Sequence, residues 1–238
     1  MIHIDKSPAI MASMFDRIAS AYDLLNFTLS FSMDEQWRKT VISSLNIGKD
    51  DRVLDIATGT GDMAIRACRT AGCTVTGIDI SRKMLAIAAQ KKGKSACGRF
   101  LITAGDALAM PFPKETFNCA MTAFGIRNMP DLPKFLGEVY RVLKDGGKTA
   151  VLELSVPPSV PWRWVYLAYF KVMIPVIGGI VSGDFKAYRY LRDSVIGFPP
   201  PRELELLMEK SGFKVIRSSP LLFGIAHIYL LEKGAAGA

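Results

Sequence analysis

Histidine and cysteine are scarce in this chain. Its 238 residues hold two histidines, His3 and His227, and four cysteines, Cys68, Cys73, Cys97 and Cys119. No cysteine pair has CxxC spacing, so neither a Cys/His zinc site nor a dithiol redox centre is expected, and no metal is assigned. Scattered cysteines read as separate thiols, the usage of a reducing cytoplasm. The N-terminal stretch MIHIDKSPAIMASMF has no charged segment leading into an apolar core, so no secretory signal is expected. Long apolar runs are missing too. The richest stretch, residues 164–182, is interrupted by Lys171, Pro175 and the pair Gly178–Gly179. A membrane span needs about 20 nearly uninterrupted apolar residues, so this stretch reads as a buried or interface-dipping helix broken near Pro175. No internal repeat is visible, and only the terminal GAAGA reads as a loose tail.

What is present is a core-forming composition. Half the residues are hydrophobic and 22% are charged, enough for one globular domain of this length. The excess of 30 Lys+Arg over 22 Asp+Glu gives a net charge of +8. That balance suits an anionic partner, whether nucleic acid, a phospholipid surface or a charged small molecule; solubility alone is the plainer explanation.

Apolar spacing predicts a helix over residues 8–25, and Ser32-Met-Asp-Glu35 has the capping-box form for a second helix. From residue 52, strands and helices alternate. Strands are expected at Arg52–Ala57, Thr74–Asp79, Arg99–Thr103, Asn118–Thr122 and Thr149–Leu154, with helices at Gly61–Ala71 and Ser81–Lys91. A striped helix follows from Asp131, ended by a left-handed stop at Gly146–Gly147. This pattern implies an α/β domain with a Rossmann-like parallel sheet. The last two strand runs, Phe213–Arg217 and Ile225–Leu231, are too close for a helical crossover and should pair antiparallel, as in class I methyltransferases. The chain reads as a single domain: N-terminal helices 8–47, a core 52–155, a helical insert 157–211 and a terminal hairpin 213–233.

The strongest local signal is the run from Val53 to Ala64, a strand entering Gly59-Thr60-Gly61 and then a helix. The glycines allow a tight turn and close approach of a ligand. Gly59-x-Gly61-x-x-Ala64 also fits a dinucleotide fingerprint. Asp55 shifts the balance, because a carboxylate there suits a cationic ligand head and not a pyrophosphate. Asp79 ends the next strand, where it can accept both ribose hydroxyls of any adenosine cofactor. Asp106-Ala107 follows the third strand, where class I methyltransferases meet the adenine. S-adenosylmethionine, cationic and phosphate-free, satisfies all three.

Several segments then carry a resemblance. They are Phe15-Asp-Arg-Ile-Ala-Ser-x-Tyr22-Asp23, Leu54–Asp62, Ala123-Phe-Gly-Ile-Arg-Asn128, Glu153-Leu-Ser-Val-Pro157 and Ser182-Gly-Asp-x-x-x-Tyr188-x-Tyr190-Leu191. The chain resembles the ubiquinone/menaquinone biosynthesis C-methyltransferases of the UbiE/MenG type, from about Met14 to Lys233. The Phe-Gly-Ile-Arg-Asn run is the most specific part. Departures surround the presumed substrate region: Ser32 and Glu35 where many members have Gly and Arg, Arg192 in place of Pro, and Tyr229 in place of a common His, with His227 two positions earlier.

The resemblance implies cofactor contacts from Thr60, Asp79 and Asp106–Ala107. It also implies methylation of a ring carbon of a polyprenylated quinol, either a demethylmenaquinol or a methoxy-benzoquinol. Ring carbon becomes nucleophilic when an adjacent hydroxyl ionises, so Arg127 is expected to stabilise a phenolate beside Asn128. Tyr22, Asp23, Tyr188 and His227 are further candidates for orientation or proton transfer. Trp162, Arg163, Trp164, Tyr166 and Lys171 have the make-up of an interfacial helix that touches a membrane surface while the protein stays cytoplasmic. A homodimer is left open. Three rival readings remain at this stage: a class I methyltransferase for another small acceptor, an NAD-dependent oxidoreductase, and a non-enzymatic nucleic-acid or membrane binder.

Overall fold

A computed structural model of the chain describes residues 5–30, 32–95, 97–173 and 184–234. The apolar runs in the middle of the chain form five strands: β1 Arg52–Ile56, β2 Thr74–Asp79, β3 Phe100–Ala104, β4 Phe117–Ala123 and β5 Leu143–Leu154. Two more, β6 Phe213–Leu221 and β7 Ala226–Lys233, follow near the end. All seven join one sheet in the order β3-β2-β1-β4-β5-β7-β6. β1 to β5 run parallel, and β7 lies antiparallel between β5 and β6. The fold is thus the α/β class I methyltransferase sheet with its antiparallel terminal hairpin.

Both faces of the sheet are buried, because successive strand residues point to opposite sides. On one face Val53, Val75, Met121 and Leu152 meet helices α3 (Met33–Ser44) and α4 (Asp62–Ala71). On the other, Leu54, Ile78, Ala120 and Val151 meet α6 (Leu132–Val142) and α9 (Pro201–Lys210). A third cluster joins α1 (Pro8–Ile18), α5 (Arg82–Ser95), α7 (Val160–Ala168) and α8 (Phe185–Ile196) through Met14, Met84, Tyr166 and Val195. Strand order reverses at β1, which has β2 on one side and β4 on the other. Such a reversal opens a crevice beyond the carboxyl ends of the strands.

Four local expectations change. The helix expected over residues 8–25 breaks at a 3₁₀ turn, Ala19–Ala21, and α2 (Tyr22–Leu29) follows. The capping box does not form: Ser32 adopts a left-handed φ of 64°, its side chain caps nothing, and Ser30 bonds Asp34 Oδ1 at 2.6 Å instead. The left-handed backbone at Ser32 displaces the extended N-cap conformation that the box requires. α6 stops at Val142 with Leu143 already extended, so Gly146–Gly147 is not its terminator. Gly146, at φ +69°, lies in the irregularity where β4–β5 pairing steps from Phe117–Leu143 to Cys119–Lys148. Finally, Cys68 and Cys97 form a disulfide with Cα atoms 6.3 Å apart, while Cys73 and Cys119 stay free and buried. The reading of four separate thiols fails for the first pair because α4 and the approach to β3 bring them side by side. The helix break expected near Pro175 lies outside the described residues. Among the described residues no helix is long and apolar enough to cross a membrane.

Candidate active site

β1 and β4 end on neighbouring positions that both take left-handed backbone without being glycine: Ala57 at φ 54° and Phe124 at φ 58°. Strain of this kind costs about 1–3 kcal/mol per residue and persists where surrounding structure enforces it. Here both residues line a shared crevice beyond the strand ends. The loop after β1 needs its glycines. Gly59 takes φ +55° with only the Tyr22 ring within 4 Å of where a Cβ would lie. Gly61 takes φ +83°, and a Cβ would press on Phe100 Cε1 at 3.0 Å and Ala88 Cβ at 3.1 Å.

The crevice is lined by Gly59, Asp79, Gly105, Asp106, Ala107 and Asn128, among others. Asp79 is fixed by two backbone donors, Gly59 N–H to Oδ2 and Ser81 N–H to Oδ1, each at 2.8 Å. Burial pushes its carboxyl above the usual range, against those backbone bonds. Asp106 accepts from Leu108 N–H at 2.8 Å, which turns the chain after β3. Three of the expected cofactor residues do not line the crevice. Asp55 is buried behind the loop, where it accepts from the Thr58 hydroxyl at 2.6 Å. Burial pushes its pKa up to about 7, opposed by the Thr58 bond and by Arg38. Thr60 faces α2, its hydroxyl donating to Asp23 at 2.6 Å, and Gly61 starts α4. A carboxylate at the end of β2, an acid after β3 and Lys6 as the sole cation among the described lining residues suit a nucleoside without phosphate.

A larger cavity of about 380 Å³ adjoins this crevice, and Phe15, Tyr22 and Phe124 line both. Its walls are apolar and aromatic, drawn from α1, α2, α7, α8 and the turn after β6. Arg127 lies on its wall, whereas its neighbour Asn128 lines the crevice. Arg127 is held by Glu153, with Nη1 donating to Oε1 at 2.7 Å and the backbone N–H to Oε2 at 3.1 Å. Nη1 also donates to the Phe124 carbonyl at 2.6 Å. Burial opposes the Arg127 charge, but the Glu153 carboxylate prevails and raises its pKa. Asn128 donates to the same carbonyl and accepts from the Tyr190 hydroxyl at 2.8 Å.

Of the expected catalytic residues, Tyr22 lines both cavities, and Arg127 and Asn128 both donate to the Phe124 carbonyl. The structure separates others. Asp23 is engaged by Thr60 and by Lys91 at 2.6 Å. His227 stacks on Tyr229 and lines neither cavity. The Tyr188 side chain lies outside the described residues. Glu153 appeared only as part of a motif. Its role depends on β5 lying beside β4, which periodicity does not reveal. Phe15 and Lys6 were likewise missed. Lys6 reaches over to the Arg127 carbonyl at 2.6 Å, and burial and the Arg127 charge lower its pKa.

Comparison with known proteins gives a concordant result. Residues 4–233 match the model of the ubiE/COQ5 methyltransferase family. A demethylmenaquinone methyltransferase of Thermus thermophilus is 45% identical over 222 residues, covering 92% of this chain and all of the relative. A ubiquinone/menaquinone biosynthesis C-methyltransferase of Geobacter sulfurreducens is 42% identical, covering 93% of this chain and 87% of its own. Among solved structures, a SAM-dependent methyltransferase from Aquifex aeolicus superposes with a TM-score of 0.59 at 18% identity, over 82% of this chain and 88% of that one. That similarity bears on the fold alone.

Proposed function

The chain belongs to the ubiE/COQ5 methyltransferase family, and from that premise we propose that it methylates a ring carbon of a polyprenylated hydroquinone with S-adenosylmethionine as donor. The observation that carries this reading is the pairing of two cavities across one aromatic wall. A polar crevice at the strand ends meets an apolar chamber whose wall holds a buried guanidinium. The rival NAD-dependent reading shares the glycine loop and Asp79, and the family match decides against it.

In this reading Asp79 binds the ribose hydroxyls, and Asp106 with Ala107 borders the adenine. Asp55 acts indirectly, by pinning the Gly59-Thr60-Gly61 turn through Thr58. The donor, when bound, supplies an electrophilic methyl group. The protein's own part is to raise the nucleophilicity of ring carbon. Arg127, kept charged by Glu153, favours ionisation of a ring hydroxyl, and that charge spreads to the adjacent carbon. Tyr22, Phe15 and Phe124 hold the ring against the crevice and exclude water. Asn128, fixed by Tyr190, orients groups on the crevice side. Overall one ring C–H becomes C–CH₃ and one proton is released. An Arg127 proton is an unsuitable one to exchange, since its pKa is raised further by Glu153.

The prenyl tail sets a second requirement. Each CH₂ kept from water is worth about 0.8 kcal/mol, so the tail needs an apolar path. Trp162, Val165, Leu222 and Phe223 line the apolar chamber and are exposed, with Trp164 and Val160 exposed beside them. Trp162 stacks on Phe223 with ring centroids 4.6 Å apart. This aromatic rim and the net charge of +8 support transient contact with an anionic bilayer surface, with the rest of the protein in the cytoplasm.

The test is the quinone pool of a strain lacking its own quinol methyltransferase and carrying this chain. Mass spectrometry should find the methylated quinone restored. A pool that stays demethylated, from cells whose purified chain binds S-adenosylmethionine, contradicts the reading.

A further inference from the structure

Two buried polar atoms on residues that line the apolar chamber have no hydrogen-bond partner among the described residues: Arg127 Nε and the Tyr166 hydroxyl. Both residues line the same chamber, and both are buried, at 7% and 4% exposure. Buried polar groups are nearly always satisfied, because stripping water from a donor without replacing it is unfavourable. Arg127 is otherwise well held, through Glu153 and the Phe124 carbonyl. Tyr166 is fixed by its ring, which lies against Phe170 at 4.3 Å. An aromatic-walled chamber with an exposed rim and two unfilled donors fits a flat apolar molecule that carries oxygen acceptors.

Resting on the quinol reading above, we propose that the Tyr166 hydroxyl donates a hydrogen bond to a ring oxygen of the hydroquinone and orients the ring together with Arg127 Nε. A hydroquinone ring has two oxygens, and two unfilled donors on residues that line the chamber match that count. The charged and titratable groups that bear on Tyr166 are Arg127, Glu153 and Tyr169, and burial is the strongest influence, holding the phenol neutral. It is therefore a donor throughout the working range and does not abstract a proton. Its bond to a ring oxygen strengthens as that oxygen ionises. The stabilisation therefore appears in turnover more than in ground-state binding.

The test is Tyr166→Phe, which keeps the ring packing and removes only the hydroxyl. Removing an unpartnered buried hydroxyl should leave the Tm unchanged or raise it, and S-adenosylmethionine affinity by calorimetry should not move. With a short-chain hydroquinone as acceptor, kcat/KM should fall about 10- to 100-fold, mostly in kcat. The acid limb of the kcat profile should shift to higher pH, because in the complex the ring hydroxyl loses a donor that favours its ionised form. Wild-type kinetics and an unshifted pH profile in Tyr166→Phe, with the wild type active, overturn this proposal alone. So does a lowered Tm with weakened cofactor binding, which marks a structural hydroxyl. A wild-type protein that methylates no hydroquinone overturns the parent reading and this proposal with it.

Discussion

Replacing Asp79 by Asn tests whether that carboxylate serves the cofactor or the fold. Its two oxygens accept from Gly59 N–H and Ser81 N–H, both at 2.8 Å. An amide has one acceptor, so in Asp79→Asn one of those donors faces an NH₂ group. An unsatisfied donor costs about 1–3 kcal/mol. Against this, the carboxylate is buried and its pKa is raised, so its charged form opposes folding at neutral pH. Losing that charge offsets part of the penalty. For a domain of this size each 1 kcal/mol moves Tm by about 2–4 °C, so the apo protein should stay within about 6 °C of wild type. Binding should respond far more. Two charge-assisted hydrogen bonds to ribose hydroxyls are worth about 1.5–3 kcal/mol each, so losing half or more of that weakens S-adenosylmethionine by about 10- to 1,000-fold. Isothermal titration calorimetry reads this directly. A Kd within about threefold of wild type refutes the assignment of Asp79. A collapse of Tm by more than about 10 °C refutes the claim that its main role is in binding.

Glu153→Gln should lower both Tm and turnover, because Arg127 Nη1, Arg127 N–H and Leu154 N–H now compete for one amide oxygen and the buried Arg127 charge loses its counter-ion. Breaking a buried pair costs about 3–5 kcal/mol, which corresponds to a Tm drop of roughly 6–20 °C by calorimetry; an unchanged Tm contradicts the pairing. Asp55→Asn should flatten part of the pH dependence of stability. The folded pKa of about 7 lies above the unfolded value, so Asp55 favours folding below pH ~4 and loses that contribution as pH rises towards 7. The Tm of the variant minus that of wild type should therefore grow from pH 4 to pH 8 in apo protein; a constant difference counts against it. Trp164→Ser should leave Tm nearly unchanged, since the ring is 69% exposed, and weaken partition onto anionic vesicles by about tenfold. Equal partition of variant and wild type in a sedimentation assay rules out this rim as the contact.

The sheet was readable because its strands are buried on both faces and bounded by turn residues. Thr74–Asp79 was found to the residue, and the antiparallel hairpin followed from the short connection before Ala226. The helix start near Asp131 was readable from the apolar stripe that follows it, and in the structure the Asp131 side chain caps that helix by accepting from Lys134 N–H. Ser32 misled the reading. The pattern of a capping box is local, but the left-handed backbone at Ser32 after α2 cancels it. Side-chain direction was the larger loss at the site. Asp55 and Thr60 lie in the motif, yet one points behind the loop and the other towards Asp23, and only three-dimensional geometry separates them from Gly59. The Arg127–Glu153 pair spans 26 positions, and Arg127 and Tyr166 meet at one chamber only through the fold. Nothing in the spacing of cysteines pointed to the Cys68–Cys97 bond.

The central claim is methyl transfer to ring carbon at the junction of the two cavities. Its most direct measurement uses purified protein, S-adenosylmethionine with a deuterated methyl group, and a short-chain demethylmenaquinol kept reduced. Mass spectrometry and NMR of the product should locate one intact deuterated methyl on the ring carbon beside a hydroxyl, with Arg127→Ala giving almost none although it still binds the donor. A methyl found on oxygen, or full activity in Arg127→Ala, contradicts the account.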